Sequence, residues 1–372
     1  MEIKDKEIRK VAVVGLGLMG GSLGLAIKKK LPGVQVLGID LHPESVRLAV
    51  GLGAVDAGSV QLGEEVSEAE LIFLATPVSE MYALCTRLLP YLSPGMIVTD
   101  MGSTKANIVE YLERCLPPGV AFLGGHPMAG SEKAGIREAQ AELLENAVYL
   151  LTPTPQTAAE TVEKVSGFLE HLGAKIRLLS PAEHDRKVAA ISHLPHLLAS
   201  SLVKTVGQLD EQEGGYFPLA AGGFRDTTRI AGSQSMMWRD ILLQNRVAVL
   251  PLIKEFRLAL AEYEDALLEE DEARLEELLE QAKRWRERIP AGLKGILPQY
   301  FELTVIVPDQ PGVIAELAGV LKEKGINISD LEIRPVRDEN GGTIRLAFSN
   351  KEARERALQV LAAAGYPARR AD

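Results

Sequence analysis

Short apolar runs alternate with helix-like stretches over the first 180 residues of the chain. Runs that are apolar on both faces are typical of parallel strands covered by helices on both sides of a sheet. The pattern therefore predicts an α/β domain over residues 1–181, with strands at Val11–Gly15, Val34–Asp40, Leu71–Thr76, Met96–Asp100, Ala121–Gly125, Ala147–Thr152 and Ala174–Leu179.

The pattern changes near Pro181, after which apolar residues recur at helical spacing and strand-like runs disappear. Long helices are predicted over Ala182–Val206 and Met236–Glu280, and residues 182–290 form an all-α domain. Glu262–Arg288 alternates charges with Leu, which predicts a solvated helix with one buried face. By analogy, a helical domain that follows a dinucleotide fold completes the active site and forms a dimer.

A third pattern follows a linker at Arg286–Gln299, which contains two Pro and two Gly residues. Residues 300–372 alternate strands and helices in the order βαββα, with a short last strand that completes βαββαβ. The predicted elements are Phe301–Val307, Val313–Lys324, Ile326–Pro335, Thr343–Phe348, Lys351–Ala364 and Tyr366–Arg369.

Composition and charge narrow the possible partners. The 372 residues are 46% hydrophobic and 25% charged, which is typical of a globular protein. The formal net charge of -10 argues against nucleic acid or an anionic membrane surface as a partner. Neither a secretory signal nor an apolar run long enough to span a bilayer is visible, so we expect a cytoplasmic protein. Cys85 and Cys115 form no disulfide or zinc pattern.

A glycine-rich motif, Gly15-Leu-Gly17-Leu-Met-Gly20, directly follows the first predicted strand and opens a helix. Gly15 permits the tight turn, Gly17 admits a pyrophosphate close to the backbone, and Gly20 lets helix and strand pack closely. The N–H groups of the helix start attract phosphate. The motif predicts a Rossmann-like dinucleotide site.

The expected cofactor is NAD rather than NADP. Asp40 lies 20 residues beyond Gly20, where a carboxylate accepts from ribose hydroxyls and repels a 2′-phosphate. The next residues, Leu41 and His42, supply no Arg to hold such a phosphate. We also assign to the cofactor site the remaining turn residues and two residues after the third strand: Leu18, Met19, Thr76 and Pro77.

His126 is the strongest candidate for a catalytic residue, because it lies in a glycine-rich turn at the end of a predicted strand. A neutral imidazole can take the hydroxyl proton as a hydride leaves the same carbinol carbon. Ser103, in the motif DMGSTK, is predicted to orient the imidazole by a hydrogen bond, and it also suits a helix N-cap.

The helical domain carries further polar candidates. Arg225 and Arg229 are four residues apart, which would place them on one helix face, and a guanidinium can hold a carboxylate bidentately. Ion pairing within the helix is an equally good interpretation of either Arg. His193 and His196 flank Pro195, which should kink the helix. They are expected to make polar contacts with substrate, and no metal is predicted because no third ligand has supportive spacing.

Together these motifs resemble the prephenate dehydrogenase family. The resemblance covers residues 8 to 290 and rests on GLGLMGGSLG, DMGSTK, GGHPMAGSEKAG, HD…SHLPH and GGFRDTTRIA. The C-terminal stretch PDQPGVIAELAGVLKEKGINI resembles an ACT domain, a ferredoxin-like βαββαβ module that binds amino acids between copies. The resemblance implies oxidative decarboxylation of prephenate to 4-hydroxyphenylpyruvate with NAD+.

The resemblance also implies roles for individual residues. Ser103 partners His126, and Arg229 anchors a substrate carboxylate. Other positions match residues associated with the substrate pocket, namely Ser131, Glu132, Asp185, His196 and Trp238. Arg225 stands where a Lys is also acceptable, so its role is left open between substrate contact and ion pair.

For the ACT module, the resemblance implies an effector site, with tyrosine as the expected ligand. Asp309, Gln310 and Gly312 form a turn before a helix whose N–H groups could hold an amino-acid carboxylate, and Asn327 is the polar neighbour. An alternative is that the module only stabilises a homodimer or larger oligomer.

Three other functions remain compatible with the motifs. An arogenate dehydrogenase would perform the same chemistry on the amino analogue of prephenate. A hydroxyacid dehydrogenase with an ACT domain would show a different catalytic set and has no need of GGHPMAG. A non-catalytic sensor of NAD and an amino acid is opposed by the presence of His126, Ser103 and Arg229.

Overall fold

The structure is a computed structural model that describes residues 8–130, 134–289, 301–308, 310–334 and 342–370. It divides into two units, Met1–Lys283 and Arg284–Asp372, which are treated one at a time below. The first unit contains the Rossmann-like sheet and the helical region, and the second contains a small antiparallel sheet.

An eight-stranded sheet organises the first unit, with the strand order β3-β2-β1-β4-β5-β6-β7-β8. The seven predicted apolar runs all form strands, and the sequence pattern missed only β3, which is three residues long. The strands are β1 Lys10–Val14, β2 Gln35–Ile39, β3 Ala57–Ser59, β4 Leu71–Leu74, β5 Ile97–Asp100, β6 Ala121–Pro127, β7 Val148–Thr152 and β8 Lys175–Leu178.

Helices cover both faces of this sheet, as the apolar runs predicted. Val11 and Val13 of β1 pack into the core on one side, whereas Ala12 and Val14 pack into the core on the other. The helices of the Rossmann-like part are α1 Leu18–Lys30, α2 Pro43–Gly51, α3 Val78–Leu88, α4 Ala106–Cys115 and α5 Ala159–His171.

The pairing of β6 with β7 corrects the expectation of a parallel sheet, because these two strands run antiparallel. A parallel pair needs a crossover connection, usually a helix. The described part of the connection between β6 and β7 holds only a short 3-10 turn, Ile136–Glu138. The chain therefore re-enters the sheet from the end that it left.

The helical region follows β8 and is more broken than the sequence predicted. The stretch Met236–Glu280 is interrupted at Asn245 and again near Glu270, which has φ +53°. Within the described residues, no helix combines the length and apolar character needed to cross a membrane. The helices are α6 Pro181–Val188, α7 Leu194–Glu213, α8 Gly222–Thr228, α9 Ser235–Gln244, α10 Arg246–Leu268 and α11 Glu272–Glu287.

A single π-helical turn, Ala189–His193, joins α6 to α7. Pro195 falls in the first turn of α7, where a missing N–H is tolerated. A π turn, a feature that is frequent at functional sites, thus stands just before Pro195, and the kink expected at Pro195 itself stays a prediction.

The second unit is a four-stranded antiparallel sheet with the order β10-β11-β9-β12 and two helices. This confirms the ferredoxin-like βαββαβ prediction, including the short last strand. Leu303, Val305, Leu317, Leu346 and Leu361 form the centre of its core. Its elements are β9 Phe301–Val307, α12 Val313–Glu323, β10 Asp330–Arg334, β11 Gly342–Phe348, α13 Lys351–Ala363 and β12 Ala368–Arg370.

Candidate active site

Two neighbouring cavities lie at the carboxyl ends of the strands in the first unit. One has a volume of about 480 Å³ and lies beside Asp40, and the other, of about 710 Å³, extends past His126 towards the helical region. They share Gly17, Ala75, Thr76 and Pro77 in their linings. The larger cavity is called the cleft below. Because the two cavities share these lining residues, they adjoin each other. Together they form one track from Asp40 to His126, called the track below.

The glycine-rich turn between β1 and α1 forms one end of this track. Gly15 has φ +99°, and a Cβ there would lie 2.5 Å from the carbonyl oxygen of Ala75. A Cβ on Gly20 would lie 1.9 Å from the carbonyl oxygen of Gly15. Glycine at both positions therefore lets the helix start close to the strand ends, as the motif predicted.

Asp40 holds this turn in place from the end of β2. Its Oδ2 accepts a hydrogen bond from the N–H of Leu16 at 2.8 Å, and its Oδ1 accepts one from the N–H of His42 at 2.9 Å. Arg87 of α3 also lines the smaller cavity. The residues next to Asp40 along the chain gave no indication that an Arg lies in this lining. The carboxylate is thus oriented before any ligand binds.

The track fits NAD. The assigned residues Gly15, Gly17, Leu18, Met19, Asp40, Thr76 and Pro77 all line one cavity or both, while Gly20 supports the turn from beneath. At the junction, the buried hydroxyl of Thr76 has no hydrogen-bond partner among the described residues, which suits a polar ligand group.

We expect Gly20→Ala to lower the free energy of unfolding by about 1–3 kcal/mol, because its Cβ would meet backbone that cannot move aside. Gly17→Ala is the matched control: apart from the residue itself and its two chain neighbours, nothing lies within 4 Å of its Cβ, so stability should change by less than about 0.5 kcal/mol. Its NAD affinity should still fall, since the methyl group blocks close approach to the backbone. Urea unfolding and calorimetric NAD titration measure the two effects. Equal stabilities of the two variants would contradict this assignment.

His126 lies at the end of β6 and lines the cleft. Its Nδ1 is 2.8 Å from Nε2 of His184, and Nδ1 of His184 is 2.8 Å from Oδ1 of Asp185. The carboxylate of Asp185 also accepts from the N–H groups of Lys105 at 2.8 Å and Ala106 at 2.9 Å. The three side chains form a hydrogen-bonded row from the start of α4 to the cleft.

A buried ion pair supports this row from within the sheet. Nζ of Lys105 contacts Oδ2 of Asp100, and both side chains are fully buried. Asp100 also accepts from the N–H groups of Gly102 at 2.9 Å and Gly125 at 3.1 Å. Burial lowers the pKa of Lys105, and the carboxylate of Asp100 opposes that shift. Asp100 therefore links the end of β5 to the start of α4 through Lys105, and to β6 through Gly125, the residue before His126.

The helical region supplies the opposite wall of the cleft. His193 lines it, and the buried Nε2 of His193 has no hydrogen-bond partner among the residues described. Nδ1 of His193 is 3.1 Å from Nδ2 of Asn245, and burial lowers the pKa of His193 to about 4. The ring of His196 stacks on that of Trp238, with centroids 3.7 Å apart. Trp238 and Arg229 line the cleft directly.

Several predicted substrate contacts lie away from the cleft lining among the described residues, and their contact with substrate stays a prediction. The described residues that line the cleft do not include Asp185, whose carboxylate instead faces His184 and the start of α4. His196 lies behind Trp238, and Arg225 is exposed outside the cleft. Arg225 and Arg229 do not share a continuous α-helix face, because α8 ends at Thr228 and a 3-10 turn begins at Arg229.

Other predictions stay open. Ser103 lines the cleft together with His126, but Nδ1 of His126 is engaged by His184, so the orienting role of Ser103 remains a prediction. Ser131, Glu132 and Asp309 lie outside the described residues. Gln310, Gly312 and Asn327 are exposed in the second unit, and Gly312 has φ +95° directly before α12.

Sequence reasoning missed the parts played by His184 and Asn245, whereas it expected His193 to make a polar contact with substrate. The histidines were visible as motif members, but no local signal linked His184 to His126, 58 residues away. Across the ranges that the structure describes, no group of three or more His, Cys, Asp or Glu side chains is placed to bind a metal ion. The hydrogen-bonded row that ends at His126, in the lining of the cleft, supports proton transfer at this residue.

Comparisons with known proteins agree with this organisation. Residues 23–178 match the family model described as prephenate dehydrogenase, nucleotide-binding domain. Residues 180–281 match the model described as prephenate dehydrogenase, dimerization domain. Residues 301–365 match the model of the ACT domain.

Individual proteins and solved structures are also similar to this chain over most of its length. The chain is 39% identical over 358 residues to a prephenate dehydrogenase of Bacillus subtilis (strain 168), covering 95% of each protein. The crystal structure of prephenate dehydrogenase from A. aeolicus in complex with hydroxyphenyl propionate and NAD+ has a TM-score of 0.73 and 34% identity, covering 77% of this chain and 100% of that one. A Synechocystis arogenate dehydrogenase structure has a TM-score of 0.65 and 34% identity, covering 76% and 100%.

Proposed function

Because this chain belongs to the prephenate dehydrogenase family, we propose that it converts prephenate to 4-hydroxyphenylpyruvate and CO2. It is an NAD-dependent oxidoreductase. The observation that carries the substrate proposal is the position of His126 in the cleft, which Arg229 and Trp238 also line and which adjoins the cavity beside Asp40. The arogenate alternative is not favoured, since two relatives that each match over 95% of this chain are prephenate dehydrogenases.

His126 acts as the proton acceptor in this proposal. Prephenate carries a hydroxyl and a carboxylate at opposite carbons of a cyclohexadiene ring. The residues of the track would hold NAD+, which would supply the acceptor for the hydride of the carbinol carbon. His126 takes the hydroxyl proton, and after CO2 has left it returns that proton to the oxygen of the new aromatic ring. Aromatisation drives the reaction, so no metal is required.

Arg229 and the residues around it would hold the rest of the substrate. The Arg229 guanidinium is suited to a bidentate contact with one of the two carboxylates of prephenate. His193 lines the cleft, and its Nε2 has no hydrogen-bond partner among the described residues. Trp238 adds an aromatic surface to the same lining. By resemblance, Ser103, Ser131 and Glu132 complete the pocket.

The pH dependence of the reaction follows from the burial of His126. Burial, reinforced by His184, holds the pKa of His126 well below 6.5, so its ring is neutral at neutral pH. Only the neutral ring can accept a proton, so activity is kept as the pH falls below 6.5 and is lost when the pH passes the lowered pKa. We expect a level profile of log(kcat/KM) down through pH 6.5, with a slope near one below the lowered pKa. An acidic limb centred above 6.5 would contradict this, once circular dichroism has shown the protein to be folded.

The C-terminal unit belongs to the ACT domain family, whose presence suggests an amino-acid effector. We propose tyrosine, the amino acid made from the product, bound by Asp309, Gln310 and Gly312 before α12 and by Asn327. The left-handed conformation of Gly312 and the helix start behind it support an exposed turn that can meet a carboxylate.

We further propose a homodimer or larger homo-oligomer formed through the helical region. Residues 180–281 match a dimerization-domain model. Val247, Leu250 and Leu258 on α10 share one helix face and are 78%, 62% and 54% exposed. Burying such side chains against a second copy would be favourable. Sedimentation velocity would test this, and a monomer at micromolar concentration would contradict it.

One assay tests the substrate and the effector together. Purified protein is incubated with NAD+ and prephenate or arogenate, NADH absorbance is followed, and each reaction is repeated with tyrosine. Turnover of prephenate that tyrosine suppresses is the expected result. Turnover of arogenate alone would replace the substrate and keep the chemistry. Protein that binds NAD+ but forms no NADH with either would overturn the catalytic proposal.

A further inference from the structure

A row of three buried side chains, His126, His184 and Asp185, leads from the cleft to the start of α4. The exposed fraction of His184 is 0%, and both of its ring nitrogens have partners at 2.8 Å. Asp185 and His184 start the helical region on α6, whereas His126 ends strand β6. The row therefore links the wall that carries the proton acceptor to the first helix after the sheet.

Asp185 fixes the direction of the first hydrogen bond. Its carboxylate accepts from two backbone N–H groups at the start of α4, those of Lys105 and Ala106. Burial would raise the pKa of Asp185, but the bonds from His184 and these two N–H groups hold it below its usual value. Asp185 is therefore an ionised acceptor, and Nδ1 of His184 must carry the proton between them.

His184 then fixes the direction of the second bond. Burial lowers the pKa of His184, although Asp185 opposes the shift, so the ring is neutral and its Nε2 carries no proton. The 2.8 Å contact between that nitrogen and Nδ1 of His126 needs one hydrogen. It must be supplied by His126, which is also neutral. His126 is thereby held as the Nδ1–H tautomer, and its Nε2 is the nitrogen left to accept a proton.

We propose that His184 and Asp185 are positioning residues that set the tautomer of His126 for proton acceptance. The inference rests on the proposed function of His126. When Nε2 of His126 takes the substrate hydroxyl proton, the ring becomes a cation whose Nδ1–H still points to His184. The negative charge of Asp185 lies at the other end of the row and favours that cation. If His184 instead donated to His126, Nε2 of His126 would carry a proton and could not act as a base.

The tautomer of His126 can be measured directly in the full-length wild-type protein. Long-range proton–nitrogen correlation spectra of 15N-histidine-labelled enzyme separate protonated from unprotonated ring nitrogens. The His126 signals are assigned as those missing from a His126→Asn variant. We expect a protonated Nδ1 and an unprotonated Nε2 at neutral pH. A protonated Nε2 would overturn the proposal, whether or not the enzyme turns over prephenate.

Variants of His184 test the consequence for catalysis. His184→Leu removes the acceptor, so kcat should fall about 10- to 100-fold while KM and NAD+ affinity change less than about threefold. His184→Gln keeps an oxygen that can accept from Nδ1 of His126, and its kcat should lie between those of His184→Leu and wild type. The exposed His171, substituted as His171→Gln, is the matched control. A folded His184→Leu enzyme with kcat within threefold of wild type would overturn the proposal.

Failure of the proposed function and failure of the tautomer assignment give different results. If wild-type protein does not oxidise prephenate, the proposed function fails, and the His126 tautomer still decides whether the row sets the ring as inferred. If His184→Leu does not fold, His184→Gln and the wild-type spectrum carry the test. The substitution Asp185→Asn is less informative, because Asp185 also accepts two backbone hydrogen bonds at α4.

Discussion

Replacement of His126 by Asn is expected to lower kcat for prephenate oxidation by about 10²- to 10⁴-fold, the range typical of a lost general base. Asn is small enough for the glycine-rich end of β6, but its amide does not take up a proton near neutral pH. KM and NAD+ affinity should change little, because His126 acts on the reacting hydroxyl and other residues hold the substrate.

Steady-state NADH formation and calorimetric NAD+ titration measure the two parts of this expectation. His171→Asn is the control, since His171 is exposed on α5 and bonds only to the carbonyl oxygen of Gly167 among its described contacts. A His126→Asn enzyme that retains more than a tenth of wild-type kcat would show that another group accepts the proton.

Substitution of Arg229 by Leu should reduce kcat/KM for prephenate by about 10²- to 10³-fold, because a substrate carboxylate would lose its charged partner in a cleft. Arg229→Lys should recover part of this loss, since the charge returns without the planar fork that holds both carboxylate oxygens. NAD+ binding should be unaffected, because Arg229 lines the cleft and not the cavity beside Asp40.

Arg225→Leu is the informative comparison. Arg225 lies four residues earlier, is exposed, and is outside the cleft lining in the described part of the chain. We therefore expect its kcat/KM to remain within about threefold of wild type, as for a surface substitution. Equal losses in Arg225→Leu and Arg229→Leu would mean that both guanidinium groups reach the substrate after it binds.

Much of the fold was predictable because its signals are local. A strand buried on both faces, such as Leu71–Leu74, is apolar along its whole length, and all seven predicted runs became strands of the large sheet. The ends of elements were harder. The three-residue β3 is too short to carry a pattern, and the break at Asn245 interrupts a stretch whose helical periodicity continues on both sides.

The antiparallel pairing of β7 with β6 is a feature that the local sequence could not predict. Its apolar run, AVYLLT, is the same whether the neighbouring strand runs parallel or antiparallel. The direction was decided by a connection without a crossover helix in its described part, which returns the chain to the same end of the sheet. Local composition therefore predicts that a strand forms, while the path of the connection decides how it pairs.

By itself, the sequence determined the parts of the site that depend on neighbours in the chain. The nucleotide motif is local, since it consists of one strand, the glycines at 15, 17 and 20, the following helix and Asp40. The carboxyl ends of parallel strands meet at one edge of a sheet, so the sequence also placed His126 beside the nucleotide track. Tertiary structure alone decided the rest. Asp185, predicted to contact substrate, faces the N–H groups of α4, and His184 meets His126 across 58 residues. Such contacts depend on the angle at which α6 packs against the sheet, and periodicity along a chain carries no information about that angle.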